Sequence, residues 1–285
     1  MRMMTVNTVQ GIGDIFWVYQ KLAHHVDKIN WRIWRVSNDP VQYRAKDFAL
    51  LLPKTETVAF PLVDLSQYHA LARTTFPLAQ VLEHDTVNYA VNAALESGLD
   101  LYTMDHGYFP ESFVPFEHLT MAGMPPVEDA LCLFVSGSRL DFVWDVNQWA
   151  EYTSRIMDQL SIHKIRVIGT TWDEWAANEV TILLQRMGYE VRNFCSKISM
   201  SLTIDTIRSS YFFFGYQSGL SVIAENYNVP QIMMYFPHLK DMLYTWAKPA
   251  NRRTRYFATT FDNPNIGLFI DEATQRYCLE SRRQA

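Results

Sequence analysis

Tyr211 to Phe236 runs YFFFGYQSGLSVIAENYNVPQIMMYF, and the reading of this stretch decides the fold class. Tyr211–Gly215 is a hydrophobic run of strand length, and Gln217-Ser218-Gly219 interrupts it with turn residues. Leu220–Tyr227 then follows as a short helix, and Val229-Pro230 leads into a second apolar run, Gln231–Phe236. Strand, turn, helix and strand make one βα repeat of a wound α/β sheet.

The alternation extends in both directions. Ala130–Val135 reads as a strand, Ser136-Gly137-Ser138 as a turn, and Asp145-Val146-Asn147-Gln148 as a capping box that opens a helix to Leu160. Lys164–Gly169 is the next strand, Trp172–Met187 a helix stopped by Gly188, and Tyr189–Cys195 a further strand. Near the start, the β-branched run Met3–Val9 enters Gly11-Ile12-Gly13-Asp14, after which Ile15, Val18, Tyr19, Leu22 and Ala23 recur at helical spacing. Ile29–Val36 is a second strand, short apolar runs lie at Phe48–Leu52 and Val58–Leu62, and Pro77–Leu95 is a helix ended by Gly98. The strongest breaker is Gly123-Met124-Pro125-Pro126. The expected organisation is a first Rossmann-like domain over 1–122, a linker at 123–127, and a second domain over 128–285, facing each other across a cleft. Ala273, Tyr277, Cys278 and Leu279 share a helical face after Asp271, which is expected to pack back on the first domain.

Composition bounds the function. With 285 residues, 48% hydrophobic and 19% charged, the chain has enough apolar bulk for two medium domains and is neither disordered nor fibrous. A formal net charge of −5 excludes a wholly basic surface, although Lys248, Arg252, Arg253 and Arg255 cluster locally. Cys132, Cys195 and Cys278 are odd in number and lack metal-ligand spacing, which predicts reduced structural thiols. No apolar run reaches the ~18 residues of a membrane span, and the first residues lack a signal-peptide pattern, so a cytoplasmic protein is expected. The histidines have no partners at ligand spacing and no Asp-x-Asp occurs, so no metal and no cofactor is expected.

Chemistry is expected in the turns that follow strands. Gly11 and Gly13 let backbone approach a ligand, and the helix start behind them favours an anion. A dinucleotide fingerprint would need a third glycine where Phe16 stands. Asp14 has two readings, a helix cap or a general base that takes a proton from an acceptor hydroxyl. Ser136, Ser138 and Arg139 together suit a phosphate, or form an ordinary loop with a surface arginine. At Gln217, Ser218, Gly219 and Leu220, the helix-start amides are expected to point at a diphosphate, and Glu225 one turn on either reaches a ribose hydroxyl or faces solvent. The rings Trp17, Trp31 and Trp34 are the expected place for a sugar or base to stack, with the packed-core reading set beside it for the arginine-interleaved set around Trp31 and Trp34.

These three motifs, in this order, resemble the GT-B glycosyltransferases, most closely the lipopolysaccharide heptosyltransferase group. Asp14 matches the aspartate thought to act as base, Ser138, Arg139 and Trp144 match a Ser/Thr-x-Arg and Trp stretch, and Gln217–Leu220 through Val229-Pro230 is similar to an Asp-Thr-Gly-Leu segment. The likeness spans residues 5 to about 240. Phe142, Gln217 and Val222 stand where the family has lysine, aspartate and histidine. The resemblance implies a GT-B-like α/β fold and a metal-independent, inverting transfer of a sugar from a nucleotide-sugar donor to an acceptor hydroxyl. Chains with a Gly-Ile-Gly-Asp start also look like bacteriophage glycosyltransferases, some of which modify hydroxymethylated DNA bases, so the acceptor is a saccharide or a DNA base. A nucleotide-sugar epimerase and a non-catalytic GT-B-shaped binding protein remain open beside the transferase.

Overall fold

The computed structural model describes residues 3–9, 11–13, 15–16, 19, 26–67, 128–135, 144–227, 229–235 and 256–284. They fall into two compact units, 3–67 in one and 128–284 in the other. The expected helix Pro77–Leu95, the linker at 123–127 and the cations from Lys248 to Arg255 lie outside the described residues.

The first unit holds three parallel strands in the order β1-β2-β3: β1 (Met3–Val9), β2 (Lys28–Trp34) and β3 (Thr55–Ala59). Alternation along β2 sends Ile29, Trp31 and Ile33 into the core and leaves Arg32 exposed. Helix α1 (Pro40–Leu51) contributes Ala45, Phe48 and Ala49 to that core. The apolar run Phe48–Leu52 therefore closes a helix: Asp39 caps it by accepting from the Val41 N–H at 2.9 Å, and Pro40 supplies the fixed φ of a first helical turn.

The second unit is a six-stranded, all-parallel sheet in the order β6-β5-β4-β7-β8-β9. In chain order its elements are β4 (Glu128–Phe134), α2 (Val146–Leu160), β5 (Lys164–Val167), a 3-10 turn (Thr171–Asp173), α3 (Glu174–Arg186), β6 (Glu190–Asn193), α4 (Met200–Arg208), β7 (Ser210–Tyr216), α5 (Gly219–Asn226), β8 (Gln231–Tyr235), β9 (Tyr256–Thr260) and α6 (Ile266–Gln284). Counted within the unit, this is the doubly wound 3-2-1-4-5-6 order, and the winding reverses between β4 and β7. Both strands are buried along most of their length, with Leu131, Leu133, Phe212, Phe213 and Phe214 at 0% exposure. The expected Asp145 capping box is present: its carboxylate accepts from Asn147 and Gln148 N–H groups, while the Gln148 amide accepts from Asp145 N–H. Gly188, at φ 98°, ends the third helix in the left-handed conformation that glycine adopts without strain.

Two differences from the sequence reading concern helices. Met200–Arg208 is helical, capped by the Ser199 hydroxyl, although its threonines and isoleucines favour strands; Thr203 and Thr206 hydroxyls donate back to the carbonyls four residues earlier. The last helix starts at Ile266, before Asp271, and packs on α2. Asp271 accepts from Arg155 and Gln159 of α2, and Ala273 and Tyr277 are buried, but Leu279 is 59% exposed and leaves the expected apolar face.

Candidate functional site

In a doubly wound sheet, ligands sit at the carboxyl ends of the strands where the winding reverses. Here that point lies between β4 and β7, with Phe134 paired to Gly215. The approach is close. A Cβ added to Gly215 would come within 2.9 Å of both Phe134 Cβ and the Phe134 carbonyl oxygen, so only glycine lets the two strand ends meet. The chain leaves β7 through Gln217 and leaves β4 through Val135, directly ahead of the Ser136–Arg139 motif. Ser136, Ser138 and Arg139 themselves lie outside the described residues, as do Asp14 and Trp17.

The Gln217–Leu220 turn is held on three sides. Gln217 N–H donates to the Met234 carbonyl at 2.8 Å, extending the β7–β8 ladder past the end of the strand. The Ser218 hydroxyl accepts from Leu220 N–H at 3.0 Å, and the Ser221 hydroxyl accepts from Ser218 N–H at 3.0 Å and donates to the Ser218 carbonyl at 2.8 Å. This is a reciprocal cap in which serine takes the place that Glu or Gln holds in the usual box. Two of the three amides expected to face a ligand, those of Ser218 and Leu220, are thus engaged inside the turn. Among the described residues, no acceptor takes the Gly219 N–H. Gln217 is 8% exposed, and its Oε1 is buried without a hydrogen-bond partner among the described residues. A buried unpaired acceptor of this kind is costly in the free protein unless something donates to it. Ser221 closes the motif in sequence, but its capping of Ser218 was not read there, and its only signal was its place three residues after Ser218.

Helix α5 carries Glu225 as expected. Its inner residues Val222, Ile223 and Ala224 are buried, and Val222, where the related motif has histidine, is core. Trp144 also serves packing. It is 8% exposed, its indole N–H donates to the Phe261 carbonyl at 3.2 Å, and its ring lies against Trp149, Tyr152, Phe214 and Phe261. These rings wall the space between α2 and the end of β7. Burial pushes the Cys132 thiol on β4 well above the ordinary range, so it stays protonated and is no nucleophile.

In the first unit, Gly11 follows β1 by two residues and its carbonyl accepts from Ile15 N–H at 3.0 Å, while Ile12, Gly13, Ile15 and Phe16 are helical. Phe16, in the position a dinucleotide fingerprint would give to glycine, is fully buried and meets Phe48 edge-on. Trp31 is not available for stacking: it is 1% exposed and its indole N–H donates to Thr55 Oγ1 at 2.9 Å. Arg35 lies over Tyr43 and Phe60 and donates to the Phe60 and Ser37 carbonyls. Arg32 covers the ring of Trp34. The arginine-interleaved aromatics are therefore mostly a packed set. Among the described residues, no three His, Cys, Asp or Glu side chains are grouped to hold a metal, and no helix is long and apolar enough to cross a membrane.

The architecture is that of the GT-B glycosyltransferases, an α/β fold with parallel sheets. Escherichia coli heptosyltransferase WaaC, solved with ADP, matches with a TM-score of 0.61 at 13% identity, over 95% of this chain and all of its own. Escherichia coli ADP-heptose LPS heptosyltransferase II matches at 0.58 and 10% identity, over 97% of this chain and 99% of its own. A family 9 glycosyl transferase from Veillonella parvula matches at 0.53 and 10% identity, over 91% and 86%. No protein-family profile matches the chain, and no curated sequence does.

Proposed function

We propose that the chain is a metal-independent, inverting glycosyltransferase that moves a sugar from a nucleoside-diphosphate sugar to an acceptor hydroxyl. The observation that carries this reading is the Gln217–Leu220 turn: a capped helix start whose Gly219 N–H and buried Gln217 Oε1 have no hydrogen-bond partner among the described residues, at the switch point of a GT-B sheet. A diphosphate oxygen fits the amide and the positive end of α5, and a sugar or ribose hydroxyl fits the amide oxygen of Gln217. Ser136, Ser138 and Arg139 follow the adjacent strand in sequence, and a guanidinium there complements the second phosphate.

In the reaction, the acceptor oxygen attacks the anomeric carbon from the face opposite the diphosphate. Its proton passes to the Asp14 carboxylate, the bond from carbon to phosphate oxygen breaks, and the electron pair leaves with the nucleoside diphosphate. Arg139 and the helix start offset the charge that grows on the leaving group. Gly11, Gly13 and Trp17 flank Asp14 in sequence and line the acceptor side, and Glu225 contacts the ribose. Changing Asp14 to Asn is expected to abolish turnover and leave nucleotide-sugar binding intact; full activity in that variant removes Asp14 as the base. Incubation with nucleotide sugars alone separates an epimerase, which converts donor without acceptor, from a transferase; a binding protein gives no turnover with any donor even when acceptors are supplied.

A further inference from the structure

Helix α3 packs against α2 and against β6, the last strand of the second unit's sheet. Its outward side carries Trp175 at 71% exposure, Ile182 two turns on and Arg186 a turn further, a spacing that sets all three on one stripe. Trp172 at 50% and the exposed Met187 extend this apolar surface at the two ends of the helix. Tryptophan is highly buried on average, so two rings left open beside two exposed aliphatic side chains mark a surface that meets another molecule. The surface is also held in place. The Asp173 carboxylate, between the rings in sequence, accepts from Thr170 N–H at 2.7 Å, and Asn193 Nδ2 donates to Asn178 Oδ1 at 2.8 Å, which ties α3 to the end of β6.

The neighbouring groups narrow the occupant. From Glu174 to Lys197 the carboxylates Glu174, Glu179 and Glu190 are balanced by Arg186, Arg192 and Lys197, so the surface has no net charge to draw a nucleic acid or an anionic lipid surface. An added β-strand is blocked as well. Glu190 and Phe194 N–H groups donate toward β5, to the His163 and Val167 carbonyls, which turns Val191 and Asn193 outward. Both outward carbonyls are already taken, that of Val191 by Gln185 Nε2 at 3.4 Å and that of Asn193 by Lys197 Nζ at 3.2 Å. A short edge covered by its own side chains does not extend into a second sheet. The surface left for docking is the helix face itself.

We propose that this face is a two-fold interface between two copies of the chain, with α3 packed antiparallel on the partner's α3. The charges on the helix are self-complementary. Glu179 lies three residues before Ile182 and Arg186 four after it, so a two-fold axis beside Ile182 sets Glu179 against the partner's Arg186 and Arg186 against the partner's Glu179. Among the described residues, neither side chain has an ion-pair partner within its own chain. The same axis brings Ile182 onto the partner's Ile182 and lays Trp175 toward the partner's Met187, a sulfur against a ring. A parallel two-fold pairing would instead oppose like charges, Glu179 to Glu179 and Arg186 to Arg186. One helix face is small beside the roughly 800 Å² that each partner buries in a standard interface, so the dimer is expected to be reversible, with a dissociation constant on the order of 10 μM. The interface goes beyond the transferase reading and stands without it.

Sedimentation velocity of the full chain over a concentration series tests this, beside the variants Trp175→Ala, Glu179→Lys and Arg186→Glu. The three side chains lie outside the core, so the variants are expected to melt with the parent. The parent is expected to pass from monomer to dimer near 10 μM, and Trp175→Ala and each single charge reversal to weaken the dimer on the order of tenfold. An equal mixture of Glu179→Lys and Arg186→Glu chains is expected to recover the dimer, because at both positions each chain then meets the opposite charge on the other. That recovery also shows that both variants are folded. The proposal is overturned by a parent that stays monomeric to about 1 mM, by a dimer that Trp175→Ala leaves intact, or by a mixture that associates no better than either variant alone. Binding of an oligosaccharide or an anionic vesicle that Trp175→Ala abolishes, with no self-association of the parent, also overturns it and gives the face another occupant.

Discussion

Gln217 concentrates the chemistry of the site in one side chain. Where the related motif has a carboxylate, this chain places a neutral amide whose oxygen is buried without a partner among the described residues. Two substitutions separate its roles. Gln217→Leu removes a buried unsatisfied acceptor and keeps an apolar side chain in its place, so the melting temperature is expected to hold or rise while nucleotide-sugar affinity falls. Gln217→Glu keeps an acceptor of nearly the same length and puts back the carboxylate that the related motif carries, so it is expected to bind the nucleotide sugar more tightly than Gln217→Leu. Calorimetric titration with a nucleoside-diphosphate sugar reads both, and unchanged affinity in the two variants excludes Gln217 from the site. Ser218→Ala strips the cap from Leu220 N–H and is expected to lower stability by about 1 kcal/mol in denaturant melts.

At the scale of elements, what was legible in the sequence is what local chemistry dictates. Tyr211–Phe236 reads as strand, turn, helix and strand because its apolar runs, Ser-Gly break and Val-Pro stop each act locally, and the Asp145 box announces its helix the same way. Met200–Arg208 was hidden because residues of strand propensity are made helical by packing, with Ile204 and Ile207 fully buried. The helix from Pro40 did carry a signal, Asp39-Pro40, masked by the apolar run at its end. In the site, the motif and its strand were readable, but the engagement of the Ser218 and Leu220 amides by serine side chains was not, because a hydroxyl three residues away declares no partner in sequence. The exposed pair Trp172 and Trp175 was hidden for the opposite reason, since tryptophans at helical spacing usually pack inward. Gly215 gives the test at this scale. Gly215→Ala forces a Cβ against the Phe134 backbone, which has no flexible atoms to move aside, and is expected to destabilise the second unit by roughly 1–3 kcal/mol and shift the β4–β7 contact on which the site depends. A variant with parental stability contradicts the close approach.

For the whole molecule, pH reports on both units and ligand on the second. Burial raises the Tyr19 hydroxyl in the first unit to about 12, and burial followed by the Tyr277 hydroxyl raises Tyr211 in the second to about 12. Both groups are neutral when protonated and ionise near 10 in the unfolded chain, so the unfolded state loses protons first as pH rises. Stability is expected to be unaffected by these groups below pH 10 and to fall between about pH 10 and 12, with Tyr19→Phe flattening the fall for the first unit. A melt series across that window that shows no slope contradicts the burial of these hydroxyls. The acidic total of −5 fits the rest of the account, in which the cations that matter are few and local.

The central claim, a nucleoside-diphosphate sugar bound at the switch point of the second unit, is tested most directly by thermal unfolding of the whole chain against a panel of nucleotide sugars and their free diphosphates. At about one hundred times its dissociation constant, the cognate donor is expected to add about 2.7 kcal/mol to the stability of the unit that binds it, a shift of several degrees that Gln217→Leu reduces. No shift with any nucleotide sugar or diphosphate, or an equal shift in the Gln217→Leu variant, contradicts the claim.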